Sequence, residues 1–164
     1  MVTVAQFCPR VRNTGPGRPL QLRLIGEPMV AREMYAYGPS WPVVLVVDDE
    51  PTIRAFLCEY LHENGFHSLG VASADSAIRL LDLGLAADLV FSDVRMPGID
   101  GYGLARWVAE HRPELPVILT TGDQGKENAA ALLCHAEVMA KPYELESAVE
   151  RIRQSIARQN PDPH

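Results

Sequence analysis

The sequence predicts an α/β fold: a doubly wound parallel sheet with helices on both faces. Three observations predict it. Short β-branched runs alternate with stretches of helical periodicity, and they do so five times from residue 42 onward. The clearest run, "VVLVV" (Val43 to Val47), is continuously apolar, as in a strand buried on both faces. Several runs end in polar or charged side chains, where open α/β sheets collect their functional groups.

The elements follow in order. After Val47 come Asp48, Asp49 and Glu50, and then Ile53, Phe56, Leu57, Tyr60 and Leu61 at helical spacing. Asn64-Gly65 should stop that helix. "FHSLGVAS" reads as a weaker second strand, and Ala74, Ala77, Ile78 and Leu81 as one face of the second helix. "DLVFS" is the third strand, leading into Asp93. Asp100-Gly101 reads as a simple turn. Leu104, Trp107 and Val108 mark the third helix, closed by His111 to Pro113, with Trp107 and Phe91 expected in the core. "PVILTT" (Pro116 to Thr121) is the fourth strand, and Asn128 to His135 a short, alanine-rich fourth helix. "EVMA" leads to Lys141-Pro142 as the fifth strand. Leu145, Ala148, Val149, Ile152 and Ile156 give the most regular amphipathic helix.

Composition bounds the function. The 164 residues suffice for one domain with a full core, and 47% hydrophobic with 22% charged residues is globular. Residues 1–41 hold five arginines and two glutamates, net +3, whereas residues 42–164 carry −9 of the overall −6. The acidic body argues against nucleic acid as the main partner. Residues 1–41 mix Arg, Gly and Pro without period, so a disordered leader is expected, apart from a short alternation at Leu20 to Ile25. Residues 42–159 form the domain and residues 160–164 a tail. No apolar run is long enough for a membrane span, and no secretory signal opens the chain. Cys8, Cys58 and Cys134 fit neither a disulfide framework nor a zinc site, so reduced thiols in a cytoplasmic protein are expected. The histidines show no metal-binding spacing.

The side chains at the strand ends form a constellation: Asp48 and Asp49 after the first strand, Asp93 at the third, Thr121 at the fourth and Lys141 at the fifth. Three clustered carboxylates repel and require a cation. Hard oxygen ligands beside open positions suit Mg²⁺. A lysine and a hydroxyl beside them suit a phosphoryl group carried on one carboxylate.

The stretches "VLVVDDEP", "DLVFSDVRMPGIDG", "PVILTTG" and "KPY" together resemble the response-regulator receiver domain of bacterial two-component signalling. Each is weak alone; four in order are specific. The resemblance covers roughly residues 43–159 and implies a flavodoxin-like five-stranded sheet in order 2-1-3-4-5. It implies Asp93 as phosphoacceptor and Mg²⁺ held by Asp49, by Asp48 largely through water, by Asp93 and by the backbone carbonyl of Arg95. It implies Thr121 bonding the phosphoryl group, Lys141 pairing with it, and a cis Lys141-Pro142 bond.

The implied partners are a histidine kinase or histidine phosphotransfer protein and a downstream protein target. There is room for a homodimer, and neither nucleic acid nor membrane is expected to bind. The expected activity is self-catalysed phosphorylation and dephosphorylation in a phosphorelay, not metabolic catalysis. No output segment follows Ile156, so a single-domain regulator is expected. Two alternatives are a phosphatase of the haloacid-dehalogenase type and a degenerate receiver acting as scaffold. Against the first, Asp48 is followed two positions on by Glu50 rather than Asp. Val138 departs from the aromatic residue usual three positions before the lysine, and the Thr121–Lys141 stretch is about two residues short. An Arg95–Asp123 bridge over the site is a further expectation.

Overall fold

The computed structural model describes residues 41–122 and 135–159. Five parallel strands form one sheet in the order β2-β1-β3-β4-β5: β1 Val43–Val47, β2 His67–Val71, β3 Leu89–Asp93, β4 Val117–Thr121 and β5 Glu137–Ala140. Four helices are described: α1 Pro51–Glu63, α2 Ala74–Asp82, α3 Gly101–His111 and α4 Leu145–Gln159. This is the predicted doubly wound topology.

Side-chain alternation on β1 divides the core in two. Leu45 and Val47 pack with Val90, Leu119, Ala77, Leu81, Leu104 and Val108, beneath α2 and α3. Val44 and Val46 pack with Phe91, Ile118, Leu57, Leu61, Val149 and Ile152, beneath α1 and α4. Phe91 is core, as expected. Trp107 is half-buried against the first cluster and stacks on His111, with ring centroids 4.5 Å apart.

The helix starts are capped. Ser73 Oγ accepts from Ser76 N–H at 3.2 Å, and Asp100 Oδ1 from Gly103 N–H at 2.7 Å. Asp100-Gly101 is therefore the N-cap and first residue of α3 rather than a simple turn, because an Asp side chain satisfies a donor that the first turn leaves open. Gly65, at φ +86°, follows the α1 C-cap Asn64 in a conformation that favours glycine. On the edge strand, Glu137 accepts from Arg151 (2.6 Å), Ser155 (3.2 Å) and Arg158 (3.3 Å), which ties α4 to β5.

One helix face differs from expectation. The buried stripe of α1 is Arg54, Leu57, Cys58 and Leu61, whereas Ile53 (43% exposed) and Phe56 (55% exposed) face outward. Two helical stripes overlap in this sequence, and the sheet takes the one that holds Cys58. Trp41, one residue before the expected domain boundary, packs on His62 and His67, with centroids 5.4 and 5.5 Å away. The leader up to residue 40, the helix at 128–135 apart from His135, Cys8, Cys134 and the tail at 160–164 lie outside the described residues.

Candidate functional site

Parallel strands all end on one side, so the sheet carries Asp48, Asp93, Thr121 and Lys141 to one edge. The register sets Asp93 opposite Thr120, with Thr121 one step beyond. β4 and β5 pair Thr121 with Ala140, and Lys141 N–H donates to the Thr121 carbonyl at 2.6 Å. Thr121 is buried. The Lys141-Pro142 peptide is cis.

Asp93 and Lys141 meet directly: Nζ lies 3.0 Å from Oδ1. Val94 N–H donates to the same oxygen at 2.9 Å. Among the described residues no donor bonds to Oδ2. Behind Asp93, Gly101 brings α3 against the strand end: a Cβ there would stand 2.5 Å from the Asp93 carbonyl oxygen. Gly98, at φ +80°, turns the intervening loop.

Asp48 is buried, whereas Asp49 and Glu50 are exposed. The Asp48 N–H donates to the Val71 carbonyl at 3.1 Å, and its Oδ1 accepts from Glu50 N–H at 2.9 Å. Burial pushes its carboxyl above the usual range; the Glu50 N–H and Lys141 pull it down, and the charges of Asp93 and Asp49 push it up again. Both other expected carboxylates thus act on Asp48, as does Lys141.

Tyr143 stands beside this set. Its ring meets Phe91 edge-on at 6.0 Å, and burial, then the charges of Asp48 and Asp93, push its hydroxyl up to about 12. Sequence reading missed Tyr143, although "KPY" placed it two residues past Lys141. It also missed Arg54, whose Nη1 donates to the Asp48 carbonyl at 2.6 Å. Arg95 is exposed on the loop after β3 and reaches over Gly122: a Cβ there would stand 3.2 Å from its Nη2. Asp123, its expected partner, lies outside the described residues. Val138 is half-buried against the first core cluster.

Among the described residues, no group of three His, Cys, Asp or Glu side chains is placed to hold a metal ion unaided. The donor set still fits a hydrated divalent cation. Mg²⁺ keeps several waters and binds through one or two carboxylates, and here mutual repulsion favours a bound cation. No described helix is long and apolar enough to cross a membrane.

Residues 44–153 match the response regulator receiver domain family. The transcriptional regulatory protein AruR of Pseudomonas aeruginosa is 37% identical over 71% of this chain and 50% of its own length. The C4-dicarboxylate transport transcriptional regulatory protein DctD of Rhizobium meliloti is 35% identical over 71% of this chain and 25% of its own. The chain thus spans half or less of these two relatives. The signal receiver domain of a signal transduction histidine kinase from Syntrophus aciditrophicus superposes with a TM-score of 0.68 at 29% identity, covering 74% of this chain and 95% of that one.

Proposed function

The chain belongs to the response regulator receiver domain family, and from that premise we propose that it accepts a phosphoryl group on Asp93 from a histidine kinase or histidine phosphotransfer protein. The observation that carries the reading is Asp93 at the end of the central strand, its Oδ1 held by Lys141 at 3.0 Å and its Oδ2 bonded by no described donor. Oδ2 forms the new bond to phosphorus as the bond from phosphorus to the donor nitrogen breaks, and the electron pair leaves with the imidazole. Lys141 holds the acceptor in place and offsets negative charge on the transferring group. Thr121, one step along the sheet edge, offers a hydroxyl to a phosphoryl oxygen.

Asp48, Asp49 and the Arg95 carbonyl, with Asp93, are the groups that would hold Mg²⁺. When bound, the cation supplies charge neutralisation between the carboxylates and the incoming phosphoryl oxygens. Asp49, the exposed member, is the direct ligand in this reading, and Asp48 acts largely through water. Ile53 and Phe56, exposed on α1 just past the acidic loop, give a protein donor an apolar surface beside the site.

The domain works as a signalling module in the cytoplasm, passing its state to a downstream protein by contact. It promotes its own phosphorylation and dephosphorylation and turns over no metabolite. With Val138 where a ring is usual, that contact does not depend on an aromatic side chain swinging inward. Acetyl phosphate with Mg²⁺, followed by intact-mass measurement, tests this: one phosphoryl adduct should form and be absent in Asp93→Asn. Turnover of phosphomonoesters would favour a phosphatase, and an unmodified protein a scaffold.

A further inference from the structure

Arg54 lies in the first turn of α1, yet its side chain is buried, at 9% exposure. Its stem crosses β2 at Gly70, where an added Cβ would stand 2.9 Å from Arg54 Cγ and 3.0 Å from Cys58 Sγ. The slot could hold an apolar side chain without burying a charge. Instead a guanidinium is desolvated there, a costly choice unless its donors are used. The donor it places is Nη1, 2.6 Å from the carbonyl oxygen of Asp48.

That carbonyl belongs to the peptide joining Asp48 to Asp49. The peptide is planar, so fixing the direction of its C=O also fixes the N–H of Asp49 and the direction in which the Asp49 Cα leaves the strand. Asp48 is already held by Val71 through its N–H and by Glu50 through Oδ1. The first acts on the near side of this peptide plane; the second spans it, because the Glu50 N–H lies beyond Asp49, and closes the segment into a turn without touching the Asp48 carbonyl. The bond from Arg54 is the described side-chain contact made to this peptide's own carbonyl. Asp49 itself is exposed.

We propose that Arg54 is a positioning residue for the cation site, orienting Asp49 by clamping the Asp48–Asp49 peptide from within the core. The inference rests on reading Asp48 and Asp49 as the Mg²⁺-binding carboxylates. Groups that orient metal ligands in this way typically contribute about 10–100-fold in metal affinity.

The test is calorimetric titration of Mg²⁺ into the parent protein, Arg54→Met and Arg54→Lys, with melting temperatures and the amide resonance of Asp49 followed in each. Arg54→Met should bind Mg²⁺ at least about tenfold more weakly while staying folded. Arg54→Lys, which keeps the stem and one donor, should recover part of the loss, and the Asp49 amide should shift in the same order. Parental affinity in a folded Arg54→Met overturns the proposal. If Arg54→Met does not fold, Arg54→Lys decides alone: weaker binding supports the clamp and parental binding overturns it. If the parent protein itself binds no Mg²⁺, the cation-site reading falls, and the metal-free Asp49 resonance still shows whether Arg54 orients that residue.

Discussion

Lys141 Nζ lies 3.0 Å from Asp93 Oδ1, on the oxygen that Val94 N–H also occupies. The pair is partly exposed, with side-chain accessibilities of 30% and 14%. Its worth to folding is therefore small, about 0–1 kcal/mol. In the proposed phosphoryl transfer its worth should be larger, because removing one donor aimed at developing charge costs about 10²-fold or more in rate. Lys141→Met should leave the urea midpoint nearly unchanged and slow phosphorylation by acetyl phosphate by roughly that factor. A large loss of stability with an unchanged rate would assign Lys141 to the scaffold instead.

Asp48 should store a stability cost that the cation relieves. Burial, with the charges of Asp93 and Asp49, raises its carboxyl above the usual carboxylate range despite the Glu50 N–H and Lys141. The folded state thus holds the proton more tightly than the unfolded chain. Its stabilising contribution is complete below the unfolded value and is lost as pH rises through the folded one. Asp48→Asn should raise the melting temperature of the metal-free protein at neutral pH, flatten that part of the pH profile and weaken Mg²⁺ binding. A lower melting temperature would mean that attraction to Lys141 outweighs burial.

Tyr143 should report the charge of the site. Its hydroxyl is pushed up to about 12, first by burial and then by the Asp48 and Asp93 carboxylates. The neutral phenol is preferred in the folded state, so this group's share of stability is present below pH ~10 and lost as pH climbs toward the folded value. Phenolate absorbance, taken as the difference from Tyr143→Phe, should titrate at lower pH in Asp93→Asn, by less than the full shift because burial dominates. An unmoved titration would place Tyr143 out of reach of the acceptor.

The sheet was legible because its strands are short β-branched runs and their ends carry unlike side chains in a fixed order. Asp48, Asp93, Thr121 and Lys141 therefore fell at one edge once the strands were paired in parallel. What stayed hidden depended on rotation about a helix axis and on contacts distant in sequence. Ile53 and Phe56 suit an apolar stripe as well as Cys58 does, and Arg54 turns inward where Gly70 leaves room for its stem and the Asp48 carbonyl accepts its guanidinium. Glu137 looks like an ordinary surface acid until α4 brings Arg151, Ser155 and Arg158 to it. Asp100 reads equally as a turn or a cap, because both uses employ the same side-chain oxygen.

Two glycines in the first turn of α3 should respond in opposite senses to alanine. By helix propensity alone, each Gly→Ala change in a helix interior gains up to about 1 kcal/mol. Gly101 cannot realise that gain. A Cβ there would stand 2.5 Å from the Asp93 carbonyl oxygen and 2.8 Å from Val94 Cα, and both are backbone atoms of the strand end. Gly101 N–H also donates to the Val94 carbonyl at 2.9 Å, which holds the helix start where the clash arises. Relief requires moving α3 off the strand, and overpacking of this kind costs about 1–3 kcal/mol. At Gly103 the nearest atom is Ile99 Cγ2 at 2.8 Å, a methyl on an exposed side chain that can rotate away. Gly101→Ala should therefore lower stability by about 1–3 kcal/mol and slow phosphorylation of Asp93, whose backbone it displaces. Gly103→Ala should be neutral to mildly stabilising, with the phosphorylation rate unchanged. Chemical denaturation and acetyl phosphate kinetics on the two variants check this. Equal effects at both positions would mean that α3 does not abut the strand that carries Asp93.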